Sequence, residues 1–337
     1  MYLKFGLQLP HYPLDLILKA ARFAEEIGFD YVLTPDHLVG IGIRNFDCYE
    51  SFSLLGAIST ITSKVKIGTC VSDVLRRHPA VIAQFASTLQ SLSGGRAVLG
   101  LGLGEGMNLI PYGIETKNLI SKFEEGVKVI KMLLTMNEVD FEGKFFKLKR
   151  AFVKPKMRVP IWIAGNSERT VRVATLGDGW IPTASVGVKN YKRFLEFLRK
   201  HNERIEAALF AYTLVKDSYE EAVKEIELPA KMLSLLSPLR DSFLEKMGLN
   251  VDIPHLIGFT FTYENVKRLR EIAEKIPFEL VEERFFYGTV DDVIDKIEMF
   301  RKAGAETFVF CPLVRVKGYL DVVKRLKEIL DYYKCYG

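Results

Sequence analysis

Strand and helix signals alternate along almost the whole of this chain, and that alternation limits its possible folds more than any other feature. Tyr2–Leu9 reads as a strand ended by Pro10 and Pro13, and Leu14 to Ile27 then carries apolar residues at helical spacing until Gly28 stops it. The same pairing recurs as Tyr31–His37 with Ser51–Ile61, then Val65–Val71 with a helix opening at Pro79, a favoured first-turn position. A strand from Ala97 precedes a helix at Ser121–Met136, and Ile161–Gly165 precedes one from about Glu168. Gly179–Thr183 leads to a helix at Tyr191–Ile205, and Leu209–Val215 is a further strand. Thr307–Cys311 lies between helices at Val290–Ala303 and Tyr319–Tyr333. Asp140–Leu148 has the look of a short hairpin inserted between units, and Ser218 to Arg284 is mostly helical.

Strands that alternate with helices imply a parallel sheet. There are eight of them, and polar residues recur where several end, which favours an α/β fold of the (β/α)8 TIM-barrel type over a doubly wound sheet. No linker rich in Pro, Gly or Ser divides the chain, so residues 1–337 are expected to form one domain, with insertions near 105–120, 137–158 and 217–285.

Composition removes several functions. The net charge of +5 is dispersed, with no block of five or six like charges, which argues against a nucleic-acid partner. No apolar stretch reaches the ~18 residues that span a bilayer. The four cysteines, Cys48, Cys70, Cys311 and Cys335, fall singly, so no zinc or redox spacing exists and free thiols point to a reducing cytoplasm. The N-terminus lacks a signal-peptide layout. A cytoplasmic protein acting on a small molecule is the expectation.

The strand exits carry the candidate chemistry. Ala97-Val98-Leu99-Gly100-Leu101-Gly102-Leu103-Gly104-Glu105-Gly106-Met107-Asn108 is an apolar strand that dissolves into glycines at every second position. It then delivers a carboxylate, Glu105, and an amide, Asn108, at the end where barrel enzymes place their chemistry. The spacing is not G-x-G-x-x-G and no helix is expected to open at once, so the dinucleotide fingerprint fails. The glycines would equally serve to make room inside a narrow barrel. Asp36-His37 closes the second strand with a side chain that titrates near neutrality, although a histidine there could also be an ordinary satisfied polar residue. Gly68-Thr69-Cys70-Val71-Ser72-Asp73 would pack a wall against a planar ligand or form a plain buried strand. At Ala164-Gly165-Asn166-Ser167-Glu168-Arg169 a strand turns into a helix with Ser167 as N-cap, either an anion site or a simple capped turn. His11, His78, His201 and His255 form no metal spacing, His78 shapes the turn before Pro79, and Phe141, Phe145 and Phe146 read as packing.

Taken together these exits resemble the luciferase-like superfamily, in particular the branch that uses the deazaflavin coenzyme F420. Arg77-His78-Pro79-Ala80-Val81-Ile82-Ala83-Gln84 and Ser93-Gly94-Gly95-Arg96 are similar to general superfamily marks. Asp36-His37 with Gly104-Glu105-Gly106-Met107-Asn108 is more selective and resembles the F420-dependent alcohol and sugar-phosphate dehydrogenases, as does Phe141–Pro155. Lys4-Phe5-Gly6, Ala211-Tyr212-Thr213 and Gly288-Thr289 look more like methylene-tetrahydromethanopterin reductase. The resemblance implies a homodimer with the coenzyme at the carboxyl rim. Asp36 would bond the deazaflavin ring, and Cys70-Val71 falls where the family has a non-prolyl cis peptide behind that ring. Asp73, Gly104 and Asn108 would make further coenzyme contacts, with Gly165 and Asn166 at its phosphate. His37 would be the base on a substrate hydroxyl and Glu105 a proton donor or electrostatic partner.

The chain also departs from these patterns. Leu38-Val39-Gly40-Ile41 stands where the dehydrogenases place a tryptophan, and Gln8 where the reductase carries a glutamate. Asp73 and Asn166 replace a small hydroxyl residue and a glycine of the sugar-phosphate enzyme. The reaction implied is hydride transfer between F420 and a small alcohol, carbonyl or methylene-pterin. An FMN-dependent monooxygenase and a non-catalytic ligand-binding barrel are the alternatives.

Overall fold

The structure, a computed structural model, describes residues 3–40, 47–248 and 250–336. Tyr2, at the start of the expected first strand, and Ile41, at the end of the segment standing in for the dehydrogenases' tryptophan, lie outside the described residues. Eight parallel strands close into a barrel in chain order: Lys4–Gln8, Tyr31–Thr34, Lys66–Asp73, Ala97–Gly102, Ile161–Ile163, Gly179–Trp180, Glu206–Val215 and Thr307–Pro312. The last strand returns to the first, with Thr307 beside Lys4 and Phe310 beside Leu7. These are the eight strands expected from the sequence.

Side chains alternate across each strand, so every strand serves two cores. Tyr31 and Leu33 point into the barrel with Val98, Trp162, Ile181, Ala208 and Val309. Val32, Ile67, Leu99 and Ile163 face outward and pack with helix residues such as Ile17, Leu55 and Ile82. Local signals set the helix ends. The helix Leu14–Ile27 stops at Gly28, whose φ of 94° is left-handed. The helix Pro79–Leu92 is capped by His78, whose Nδ1 accepts from the Ala80 N–H at 3.2 Å.

Several expectations shift. The helix placed at Tyr191–Ile205 runs Val188–Arg199, because the N–H groups of His201 and Asn202 both turn back to the Leu198 carbonyl and the Asn202 side chain accepts from Arg204. The next strand therefore begins at Glu206 rather than Leu209. A short helix, Gly106–Leu109, does open directly after the glycine-rich strand, with Glu105 just before it. The hairpin forms from Val139–Glu142 and Lys147–Ala151, its turn held by Glu125, which accepts from the N–H groups of Lys144 and Phe145. The region after the seventh strand contains the helices Tyr219–Leu236 and Tyr263–Ala273 joined by short turns. It ends in a ninth strand, Phe286–Gly288, parallel to the tip of Glu206–Val215. Three residues are too few to display an alternation, so this strand has no sequence signature. Among the described residues no helix is long and apolar enough to cross a membrane.

Candidate active site

The exits of the first four strands meet at the carboxyl end of the barrel. The Cys70–Val71 peptide is cis, and the pairing of the third and fourth strands slips between Thr69 and Ser72. The neighbouring glycines make that bulge possible. A Cβ on Gly100 would lie 2.2 Å from the Thr69 carbonyl oxygen, and one on Gly102 would lie 2.7 Å from Val71 Cγ2. For these two positions the glycine pattern is room for the third strand. Gly104 differs: its φ of 77° is left-handed and turns the chain so that Glu105 leaves the strand towards the mouth.

Asp36 is buried and held by charge. Its Oδ2 accepts from Ser72 Oγ and Arg77 Nη1, both at 2.6 Å, and lies 3.1 Å from Arg76 Nη2. Among the described residues its Oδ1 accepts from Arg77 Nη2 alone, at 3.1 Å, which leaves a lone pair on that atom. Asp73 completes the cluster: Oδ1 accepts from the N–H groups of Leu75 and Arg76, and Oδ2 lies 2.5 Å from Arg76 Nε. Asn108 joins two exits, its Oδ1 accepting from the Leu38 N–H at 2.8 Å.

His37 and Glu105 come together, Nε2 to Oε2 at 3.5 Å. That Glu105 oxygen is buried and has no hydrogen-bond partner among the described residues. Burial pushes the Glu105 carboxyl up to about 7, with Asp73 adding to the shift and Arg76 opposing it. Burial, helped by Arg76, pushes the His37 imidazole down to about 4 against the pull of Asp36 and Asp73. At neutral pH this pair therefore offers an uncharged base beside a carboxyl group poised to hold or release a proton.

The sequence reading missed part of this mouth. His11 Nε2 lies 3.1 Å from His37 Nδ1. The only local signal for His11 was its place just after the first strand. Gln8 Nε2 donates to the Cys70 carbonyl at 3.1 Å, while Gln8 Oε1 and Arg76 Nη1 are buried without partners among the described residues. Cys311 on the eighth strand lies beside Tyr212 on the seventh, and burial raises both above their usual ranges.

Gly165 and Asn166 lie at the exit of the fifth strand, apart from this cluster. The Gly165 carbonyl accepts from Trp180 Nε1 at 3.0 Å. The Asn166 side chain is committed to the sixth exit: Nδ2 donates to Thr183 Oγ1 and Ser185 Oγ, and Oδ1 accepts from the Thr183 N–H. The helix that opens here, Glu168–Ala174, is short, and its reciprocal Ser167–Thr170 cap already occupies two N–H groups at its start.

A family model described as luciferase-like monooxygenase matches residues 5–307. The phthiodiolone/phenolphthiodiolone dimycocerosates ketoreductase of Mycobacterium bovis (strain BCG / Pasteur 1173P2) is 32% identical over 279 residues, covering 76% of this chain and 72% of that protein. The F420-dependent glucose-6-phosphate dehydrogenase of Amycolatopsis mediterranei (strain U-32) is 28% identical over 316 residues, covering 88% of each. The fold is similar to the solved structure of an F420-dependent secondary alcohol dehydrogenase in complex with an F420–acetone adduct, with a TM-score of 0.78 and 24% identity over 96% of this chain and 98% of that one.

Proposed function

This chain belongs to the luciferase-like monooxygenase family, and we propose that within it the protein is a coenzyme F420-dependent oxidoreductase. It moves a hydride between the deazaflavin and a small alcohol, carbonyl or methylene-tetrahydromethanopterin-type substrate. The observation that carries this reading is the His37–Glu105 pair, 3.5 Å apart where the second and fourth strands end, with a carboxylate oxygen that has no hydrogen-bond partner among the described residues. Relatives named for F420 chemistry and for ketone reduction support the same class.

The residues present fit a deazaflavin. Among the described residues Gln8 Oε1 and Arg76 Nη1 are buried polar atoms still lacking a partner, and Asp36 Oδ1 keeps a free lone pair. Asp36, the Cys70–Val71 bulge, Asp73, Gly104 and Asn108 would hold the ring, and Gly165 with Asn166 its phosphate. The coenzyme supplies a carbon that accepts or gives hydride. His37 Nε2 takes the proton of a substrate hydroxyl, or returns it to a carbonyl oxygen. Glu105 holds a proton or a charge beside it according to pH. The buried Asp36–Arg76–Arg77 cluster fixes the strand edge from which His37 projects, so the imidazole is presented without reorganisation.

Titration of the purified protein with oxidised F420 and, separately, with FMN, followed by fluorescence, tests this reading. Tight binding of F420 alone is expected. Preference for FMN overturns it in favour of a monooxygenase, and binding of neither points to a barrel without this catalysis.

A further inference from the structure

His11 closes a line of three titratable groups at the carboxyl mouth. Glu105 Oε2 lies 3.5 Å from His37 Nε2, and His37 Nδ1 lies 3.1 Å from His11 Nε2. The two imidazole rings lie 4.9 Å apart, centroid to centroid. We propose that His11 is a positioning residue: the proton it shares with His37 Nδ1 decides whether His37 Nε2 faces the substrate as a bare base or as a proton donor. The proposal rests on the hydride-transfer reading of the same site.

Two neutral imidazoles joined nitrogen to nitrogen hold one proton between them. With that proton on His37 Nδ1, Nε2 is bare and accepts the hydroxyl proton of an alcohol. With it on His11 Nε2, His37 Nε2 carries the N–H and donates to a carbonyl oxygen. In the oxidation direction the O–H proton moves to His37 Nε2 and the O–H electron pair becomes the second C–O bond. The C–H pair leaves as hydride to the deazaflavin. The Nδ1 proton of His37 passes to His11 Nε2, and His11 loses its other ring proton to solvent, which its half-buried ring can reach. Reduction runs the same transfers backwards.

The surroundings keep both rings neutral. Burial, with His37 beside it, pushes His11 down to about 3. Arg76 opposes charge on His37, while Asp36 and Asp73 favour it. From the loop before the second helix, the Cys48 thiol donates to the His37 carbonyl at 3.4 Å. The Tyr212 phenol on the seventh strand is raised by burial, and the charge of Glu105 adds to that shift. None of these groups supplies the hydrogen bond to His37 Nδ1 that His11 makes.

The test compares His11→Ala and His11→Gln in the full chain. Gln can bond to His37 Nδ1 but cannot pass a proton on. His11→Ala is expected to lower kcat about 100-fold, with KM and coenzyme affinity unchanged and partial rescue by added imidazole. His11→Gln is expected to stay impaired, with a displaced pH profile. In the protein without coenzyme, the nitrogen-15 shift of His37 Nδ1 is expected between the protonated and bare limits, and His11→Ala should move it to one limit. Wild-type kinetics in His11→Gln, or a His37 shift that His11→Ala leaves in place, overturns the proposal. The nitrogen shifts need no coenzyme, so failure to bind F420 sinks the hydride reading without being mistaken for failure at His11.

Discussion

The two mouths of the barrel are made by the same eight strands and treat polar groups in opposite ways. At the amino end nearly everything is paired. Arg96 donates to the carbonyls of Ser93, Val65, Thr62 and Ser59 at 2.7–3.2 Å. Asp30 accepts from the Phe5 N–H, and Glu25 accepts from the N–H groups of Ser63, Lys64 and Val65. At the carboxyl end Gln8 Oε1, Arg76 Nη1 and Glu105 Oε2 are buried and have no hydrogen-bond partner among the described residues. Among the described residues the remaining partnerless buried side-chain atoms belong to Ser234, Arg240 and Arg284, in the helical region after the seventh strand. A recess of about 550 Å³ opens at the amino end over Tyr31 and Trp162. Unmet hydrogen bonding with shifted titration marks the end where a ligand would complete the structure.

The sharpest way to break that contrast is to change one residue at each mouth. His37→Ala should lower kcat/KM by roughly 10²–10⁴-fold while leaving thermal stability close to wild type, read by steady-state kinetics beside a melting curve. Arg96→Ala should do the reverse. It strands several carbonyls at once, and a loss of about 2–4 kcal/mol in denaturant unfolding is expected, with kcat/KM unchanged well below the melting temperature. If Arg96→Ala abolished turnover in the folded protein, the division of labour between the two ends would be wrong.

A smaller effect follows from the sign of the Glu105 shift. Its carboxyl is raised to about 7 in the folded chain, from an ordinary value of 4.5. Between those values the folded state holds the extra proton, so stability from this group falls as pH rises through the window and stays low above it. Glu105→Gln removes the cost. It should stabilise the unloaded protein by about 3 kcal/mol at pH 8 and change little at pH 4, where the carboxyl is mostly protonated folded or unfolded. A stabilisation equal at both pH values would show that the effect is packing and not charge.

What could be read from the sequence follows the same division. Strands, helices and exits are local, so alternation and caps located Asp36-His37, the third-strand exit and Glu105 before any contact was known. The partners are not local. Asp36 is clasped by Arg76 and Arg77 from forty residues on, and nothing in a lone His11 after Pro10 announces that its ring meets His37. The resemblance to F420 enzymes placed a cis peptide at Cys70–Val71, where the structure has one; the pattern of residues alone could not. Asn166 is tied in the same non-local way: its amide bridges Thr183 and Ser185, a link between two exits that no spacing encodes.

The smallest prediction probes whether the amino end is uniformly important or only well paired. Lys4 Nζ and Glu206 Oε1 lie 2.9 Å apart across the seam where the first strand meets the rest of the barrel. The Lys4 side chain is 35% exposed and that of Glu206 20%, so water screens the pair and little Coulomb energy survives. Glu206 also keeps the Thr307 hydroxyl as a donor once the lysine is gone, so no buried carboxylate is left bare. Lys4→Ala should therefore cost only about 0–1 kcal/mol, measured by urea unfolding, with kinetics unchanged. A loss approaching that of Arg96→Ala would mean that closure of the barrel seam depends on this ion pair, rather than on the backbone pairing of Lys4–Leu7 with Thr307–Phe310 and the apolar residues behind it.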